Sequence, residues 1–154
     1  MVTVTGPRQS GKTTLVQTVF TNKRYISLED PDEREFAEKD PRGFLSRCPE
    51  GAILDEVQRC PELLSYLQGI VDRDRQPGQF ILTGSQQFGL FSKITQTLAG
   101  RAGILELLPF SLEEVKKANL APKTVDELLL KGLYPPIYDQ PLEPALWFKS
   151  YMQT

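Results

Sequence analysis

Histidine is absent from the sequence, and cysteine occurs only twice, at Cys48 and Cys60. These cysteines are too far apart to form a CxxC pair, and without histidine a zinc site would lack its usual ligands, so the composition argues against a zinc centre. The sequence also has no apolar run of the roughly 18 residues that a membrane-spanning helix needs, and no basic segment of the kind that opens a signal peptide. We therefore expect a cytoplasmic protein that does not bind membranes.

A strong excess of charge is missing as well. The 154 residues include 18 basic and 20 acidic side chains, for a formal net charge of -2. No global field therefore draws the chain to nucleic acid or to an anionic membrane. Repeats and low-complexity runs are also absent. Because 40% of the residues are hydrophobic, the chain can bury a core of its own, and we expect one globular domain of the ordinary soluble type.

Short apolar runs alternate with segments of helical period along most of the chain. Strands that alternate with helices predict a three-layer α/β fold with a parallel sheet. The charged stretch 32–47 has few apolar residues and predicts surface helices joined by loops. The strand candidates are residues 2–5, 25–28, 51–54, 80–82 and 103–108. The other helix candidates are the segment after Gly11, residues 61–73, 111–118 and 124–131, and a helix face at Phe91, Ile94 and Leu98.

The pattern Gly6-x-x-x-x-Gly11-Lys12-Thr13 follows the first strand directly and opens a helix, which is the context expected of a phosphate-binding P-loop. Glycines let successive backbone N–H groups point inward at phosphate oxygens, and the positive end of the helix dipole adds to this attraction. Lys12 can reach the β- and γ-phosphates, and the Thr13 hydroxyl can complete the shell of a magnesium ion. The candidate nucleotide-binding residues of the loop are Gly6, Pro7, Arg8, Gln9, Ser10, Gly11, Lys12, Thr13 and Thr14.

Asp55 and Glu56 follow a buried strand candidate, at the sheet edge where the P-loop also opens. This pair resembles a Walker B segment, in which Asp55 would hold magnesium directly or through a water and Glu56 would polarise an attacking water. An enzyme that transfers phosphate to a substrate hydroxyl need not hold its own base, so Glu56 favours hydrolysis over kinase chemistry. The alternative is a pair of solvated acids that simply end a strand.

Polar side chains near the fourth and fifth strands give weaker candidates. Thr83 and Ser85 could contact the γ-phosphate or orient a water, but polar residues at a strand end are usually turn formers. Arg101 could act as an arginine finger, in its own subunit or in a neighbour, or could be a solvated arginine at a helix end. The Asn-Lys pair at residues 22–23 lacks the later aspartate of a guanine-reading motif, so we expect adenine rather than guanine.

Several segments together resemble the prokaryotic AAA-type ATPases that are normally fused to a C-terminal domain of unknown function. These segments are GPRQSGKTTL, YISLEDPDER, AILDEVQRCPELLSYLQ, FILTGSQQF, LAGRAGILELLPFSLEEV and GLYPPIYD, and they cover nearly the whole chain. The resemblance implies a P-loop NTPase fold of the AAA/ASCE type with strand order 5-1-4-3-2, and it implies ATP and magnesium as cofactors. It matches Lys12 and Thr13 to Walker A, Asp55 and Glu56 to Walker B, Thr83-Gly84-Ser85 to the sensor strand, and Arg101 to the family's Gly-Arg-Ala segment.

We place the ATPase core at residues 1–118 and a C-terminal helical segment, the start of a truncated region, at residues 119–154. Family members extend beyond this sequence at both ends, so both ends look cut, and we expect turnover by this chain alone to be impaired. The partners considered are ATP or ADP, a second copy of the chain, and DNA or a protein bound through the missing C-terminal region. Two alternatives stay open: a switch module that binds ATP without significant hydrolysis, and a small-molecule kinase whose lid candidate is the stretch 32–47.

Overall fold

The structure is a computed structural model that describes residues 1–74, 76–85 and 97–153. The chain divides into two compact units. Unit 1 comprises Met1–Arg8 and Lys12–Leu107, and unit 2 comprises Gln9–Gly11 and Leu108–Thr154. All the strands of the described sheet belong to unit 1.

A five-stranded sheet forms the centre of unit 1. Its strands lie in the order β2-β3-β4-β1-β5, and every neighbouring pair is parallel. Read from the other edge, this is the order 5-1-4-3-2, so the predicted strand order and the α/β class are confirmed. Of the predicted helix face at Phe91, Ile94 and Leu98, only Leu98 lies within the described residues, and it is buried. The strands are β1 (Val2–Thr5), β2 (Arg24–Ser27), β3 (Ala52–Asp55), β4 (Ile81–Thr83) and β5 (Gly103–Glu106).

Helices pack on both faces of this sheet, because successive side chains of a strand point to opposite faces. Ile53 belongs to an apolar cluster with Val16 of helix α1. The next strand residue, Leu54, belongs to a second cluster that contains Leu64 and Leu67 of helix α4. Unit 1 therefore has the three layers that the sequence predicted. Its described helices are α1 (Lys12–Val19), α2 (Pro31–Lys39), α3 (Pro41–Ser46) and α4 (Leu63–Arg73), with a short 3₁₀ helix at Val57–Arg59.

The charged stretch 32–47 forms helices α2 and α3, as predicted, but these helices contribute to the core as well as to the surface. Ala37 and Phe44 are fully buried, and the Phe44 ring packs edge-on against Phe36 with 5.9 Å between centroids. The carboxylates of Asp30 and Asp40 accept hydrogen bonds from backbone N–H groups in the first turns of α2 and α3, which explains where both helices begin. A narrow apolar stripe is thus enough to anchor a helix that is charged elsewhere.

Unit 2 is helical, and aromatic contacts stabilise it. The rings of Tyr134, Trp147 and Tyr151 pack together with centroids 5.0 to 5.2 Å apart. The Phe110 N–H donates to the Leu133 carbonyl at 2.9 Å, which joins the segment after β5 to the C-terminal helices. The division into units falls between Leu107 and Leu108. Helices α5 (Leu112–Lys117) and α6 (Val125–Lys131) confirm the two predicted helices, and α7 (Pro135–Asp139) and α8 (Pro144–Tyr151) follow them.

Candidate functional site

Parallel pairing brings the carboxyl ends of β1, β3 and β4 to one edge of the sheet. Strand β4 lies between the other two, with Thr83 opposite Val4 and Leu82 opposite Leu54. The loop that follows β1, the carboxylate of Asp55 and the hydroxyl of Thr83 therefore lie at the same edge. Open α/β sheets bind their ligands outside the carboxyl ends of the strands. The sequence-predicted loop and acids thus occupy the edge where a ligand site is expected.

The loop between β1 and α1 has a left-handed backbone at three positions. The φ angles are 140° at Gly6, 59° at Gln9 and 92° at Gly11. Left-handed residues alternating with ordinary ones are typical of backbone nests that bind anions through their N–H groups. A β-carbon at Gly6 would lie 2.1 Å from the Leu107 carbonyl oxygen, so glycine is required there. The buried Ser10 hydroxyl has no hydrogen-bond partner within the described part of the chain, so it is a donor that an anion could satisfy.

Lys12 directs its ammonium group into this loop. The side chain is only 5% exposed, and Nζ donates hydrogen bonds to the carbonyl oxygens of Gly6 at 3.1 Å and Pro7 at 2.6 Å. Burial lowers the pKa of the Lys12 ammonium, while the nearby charges of Glu56 and Asp55 act in the opposite direction. A buried ammonium held by backbone carbonyls can exchange these acceptors for the oxygens of a phosphate, which offer a stronger, charge-assisted hydrogen bond.

The buried Asp55 carboxylate accepts hydrogen bonds from three hydroxyl groups. Thr13 Oγ1 lies 3.0 Å from Oδ2 and 3.2 Å from Oδ1. The Tyr25 hydroxyl lies 2.7 Å from Oδ2, and the Thr83 hydroxyl donates to Oδ1. Burial, and then the hydrogen bond to Asp55, raise the pKa of Tyr25 to about 12, so its hydroxyl is a donor at neutral pH. The structure therefore brings Thr13 and Asp55 together, and it adds Tyr25, which the sequence interpretation did not include.

Glu56 directly follows β3 and has a left-handed backbone, with φ 55° and ψ 46°. This conformation is uncommon for a residue other than glycine, and such strain is often found at functional sites. The Glu56 N–H lies 3.3 Å from the Thr83 hydroxyl, and its carboxylate accepts a hydrogen bond from Gln58 Nε2. Gln58 Nε2 is also 3.1 Å from Ser85 Oγ. Gln58 thus connects two predicted site residues, Glu56 and Ser85, although no sequence pattern pointed to it.

Two predicted site residues stand apart from this cluster. Thr14 is exposed on α1, and its carbonyl accepts a hydrogen bond from Thr18 at 2.8 Å. Arg101 pairs with Asp72, at 2.6 Å from Nε and 3.0 Å from a terminal nitrogen. Because Arg101 precedes β5, whereas the phosphate loop follows the adjacent parallel strand β1, the two lie at opposite edges of the sheet. The structure thus places Arg101 away from the phosphate loop of its own chain.

Replacing Arg101 with alanine is expected to leave the affinity of the phosphate loop for a nucleotide nearly unchanged, because the guanidinium lies at the edge away from the loop. The pair with Asp72 is partly exposed to solvent and contributes little to stability, so the variant should fold. Calorimetric titration should give a Kd within about twofold of the wild-type value. Arg73→Ala, which removes an exposed arginine of the same unit, is the control. A loss of roughly tenfold or more that is specific to Arg101→Ala would contradict the prediction.

The oxygen donors at this edge suit magnesium better than zinc. In residues 1–74, 76–85 and 97–153, no group of three or more His, Cys, Asp or Glu side chains is placed to hold a metal ion. Mg²⁺ does not need such a group, since proteins usually bind it through one or two carboxylates together with waters and substrate phosphates. The hydroxyl of Thr13 and the carboxylate of Asp55 fit this requirement.

Across the described ranges, none of the helices combines the length and the apolar character that crossing a bilayer would require.

The sheet order, the loop between β1 and α1, and the acidic pair at the end of β3 define a P-loop nucleotide-binding protein of the α/β class. The chain belongs to the family described as AAA domain, which it matches over residues 1–116. It is also similar to uncharacterized proteins of Mycobacterium bovis and Mycobacterium tuberculosis. Identity to each is 33% over 159 residues, covering 100% of this chain and 34% of the relative. The chain thus spans about a third of the length of the curated relatives it matches.

Proposed function

We propose that this AAA domain binds ATP with Mg²⁺ and hydrolyses it, as the motor or switch part of a larger protein. The observation that carries the proposal is the pairing of Thr13 with Asp55, at 3.0 and 3.2 Å, beside the loop that encloses the Lys12 ammonium. A hydroxyl and a carboxylate held together next to a phosphate loop are the two protein ligands that P-loop enzymes offer to Mg²⁺.

Each group of the site has a task in this proposal. The loop N–H groups and Lys12 bind the phosphates, and Thr13 with Asp55 holds the cation. When bound, Mg²⁺ neutralises charge that develops on the phosphate oxygens. Glu56 accepts a proton from the attacking water, with its carboxylate oriented by the amide of Gln58. Residues 1–118 would form this ATPase core, and residues 119–154 the start of a following region.

The proposed partners follow from the location of Arg101 and from the length of the relatives. Arg101 lies at the sheet edge opposite the phosphate loop, so as an arginine finger it would act on a neighbouring copy in a homo-oligomer. The relatives are about three times as long as this chain, and we propose that a DNA or protein partner binds through such additional regions. Because the proposed activity consumes ATP, we propose that the protein acts in the cytoplasm.

A second candidate function is a switch that binds ATP without significant hydrolysis. One observation favours it: the Glu56 carboxylate is hydrogen-bonded by Gln58, and that bond competes with binding to a water. In this alternative Gln58 keeps Glu56 from acting as a base, and the bound nucleotide only changes the populations of two conformations.

Calorimetric titration of the chain with ATP in Mg²⁺ or in EDTA, combined with a phosphate-release assay, tests the proposal. Binding that tightens with Mg²⁺, together with phosphate release above that of a protein-free sample, is the expected result. Tight binding without phosphate release would favour the switch. A folded chain that does not bind ATP would contradict both functions.

A further inference from the structure

Tyr25 contacts the candidate metal site from a strand that carries none of the predicted site residues. It lies in β2, the outermost strand of the sheet, where it is paired with Ile53 of β3. Asp55 is two residues further along β3, on the same face, since side chains on one face recur every second residue. The tyrosine ring extends along the strand and brings its hydroxyl to 2.7 Å from Asp55 Oδ2.

The Asp55 carboxylate is thereby held from three elements. Thr13 of α1 contacts both carboxylate oxygens, Tyr25 of β2 donates to Oδ2, and Thr83 of β4 donates to Oδ1. A carboxylate with donors on both oxygens cannot rotate freely about its terminal bond. The Tyr25 hydroxyl is closer to Oδ2, at 2.7 Å, than the Thr13 hydroxyl is, at 3.0 Å. Both distances are normal for hydrogen bonds between oxygens, so Tyr25 and Thr13 together restrain this carboxylate oxygen.

We propose that Tyr25 is a positioning residue that orients the Asp55 carboxylate for the magnesium ion of a bound nucleotide. This inference rests on the proposed function, because it concerns the same site. Groups that hydrogen-bond to metal-binding carboxylates fix their orientation and tune their affinity for the metal. With Oδ2 held by Tyr25, Asp55 accepts a hydrogen bond from the Thr13 hydroxyl, and the oxygen lone pairs of Thr13 are left for the cation.

The proposed role belongs to the hydroxyl of Tyr25 and not to its ring. Backbone pairing with β3 holds β2 in the sheet regardless of this side chain, and the side chain is 37% exposed, so Tyr25→Phe should fold. Phenylalanine keeps the ring and removes only the donor to Asp55. Tyr66, on α4 of the same unit, is 39% exposed, so Tyr66→Phe removes a hydroxyl from a tyrosine of similar overall exposure and is the control.

The experiment measures ATP binding by the full chain twice, in EDTA and in saturating Mg²⁺, for the wild type and both variants. Tyr25→Phe is expected to reduce the tightening caused by Mg²⁺ by about tenfold, because lost support of a metal ligand typically costs about 10- to 100-fold in metal affinity. Its affinity in EDTA should stay within about twofold of wild type, since the loop and Lys12 are unchanged. Tyr66→Phe should match the wild type in both conditions.

Two results would overturn the inference while leaving the proposed function intact. One is a Tyr25→Phe chain with the full Mg²⁺ effect. The other is an equal loss in EDTA and in Mg²⁺, which would assign Tyr25 a general structural role. Wild-type chain whose ATP binding does not respond to Mg²⁺ would instead overturn the proposed metal site, and this inference with it. Replacing Mg²⁺ by Mn²⁺ adds a spectroscopic check, because the electron paramagnetic resonance signal of bound Mn²⁺ should differ between wild type and Tyr25→Phe.

Discussion

Replacing Lys12 with methionine is expected to weaken ATP binding by roughly 30- to 150-fold, because a hydrogen bond to a charged group contributes about 2–3 kcal/mol. The ammonium is buried inside the loop and already bonded to the carbonyls of Gly6 and Pro7, so little reorganisation is needed for it to reach phosphate oxygens. Methionine keeps an unbranched apolar stem in the buried position and removes only the charge and its donors. Isothermal titration calorimetry with ATP and Mg²⁺ measures the loss.

Lys23→Met is the matched control for this prediction. Lys23 belongs to the same unit, and its Nζ also donates to a backbone carbonyl, that of Glu50 at 3.1 Å. Loss of affinity confined to Lys12→Met therefore reports on the loop and not on net charge. Burial disfavours the charged form of Lys12 and lowers its pKa, and methionine fills the same buried space, so the variant should fold. Unchanged ATP affinity in a folded Lys12→Met chain would contradict the proposed site.

The sheet was predictable because each strand carries a local signal. Strand β3 is a continuous apolar run that ends at Asp55, as expected for a strand buried on both faces, and all four of its residues are buried. The glycine loop identified β1 and α1 at once. Helices α2 and α3 were harder, since only a few residues such as Ala37 and Phe44 reach the core. Their burial depends on tertiary packing, which composition does not show.

The support of the two acids was not predictable from local patterns. Tyr25 reads as an ordinary strand-forming aromatic residue, and its contact with Asp55 depends on the register between β2 and β3. The contacts of Gln58 depend on the left-handed turn at Glu56, which sends the chain into a 3₁₀ helix and returns the amide toward the acid and Ser85. Glutamate is not among the residues enriched in this conformation, so no sequence pattern indicated the turn.

The position of Arg101 illustrates a different limit of prediction from sequence motifs. The sequence already placed this arginine before the fifth strand, and a parallel sheet puts the start of every strand at the edge opposite the phosphate loop. The predicted strand order therefore already implied that Arg101 and the phosphate loop of the same chain lie at opposite ends of the strands. A motif match to the family's Gly-Arg-Ala segment does not tell at which ends of the strands the arginine lies, or which copy of the chain it contacts.

Replacing Glu56 with glutamine is expected to slow phosphate release by about 10²- to 10⁴-fold, the usual contribution of a general base, while ATP binding is retained. Glutamine has the same shape and can still accept a hydrogen bond from Gln58 through its amide oxygen, so the left-handed turn should persist. The Mg²⁺ ligands Thr13 and Asp55 are untouched. A phosphate-release assay at saturating ATP, paired with calorimetry on the same sample, separates the chemical step from binding.

Glu62→Gln is the control, because Glu62 is an exposed acid just before α4 whose side chain makes no capping hydrogen bond. It removes the same charge without touching the nucleotide edge of the sheet, so phosphate release should match the wild type. Equal phosphate release from Glu56→Gln and wild-type chains would remove Glu56 from the chemistry. If the wild-type and Glu56→Gln chains both bind ATP tightly and neither releases phosphate, the switch function is supported. In that case the hydrogen bond from Gln58 prevents the Glu56 carboxylate from accepting a proton from water.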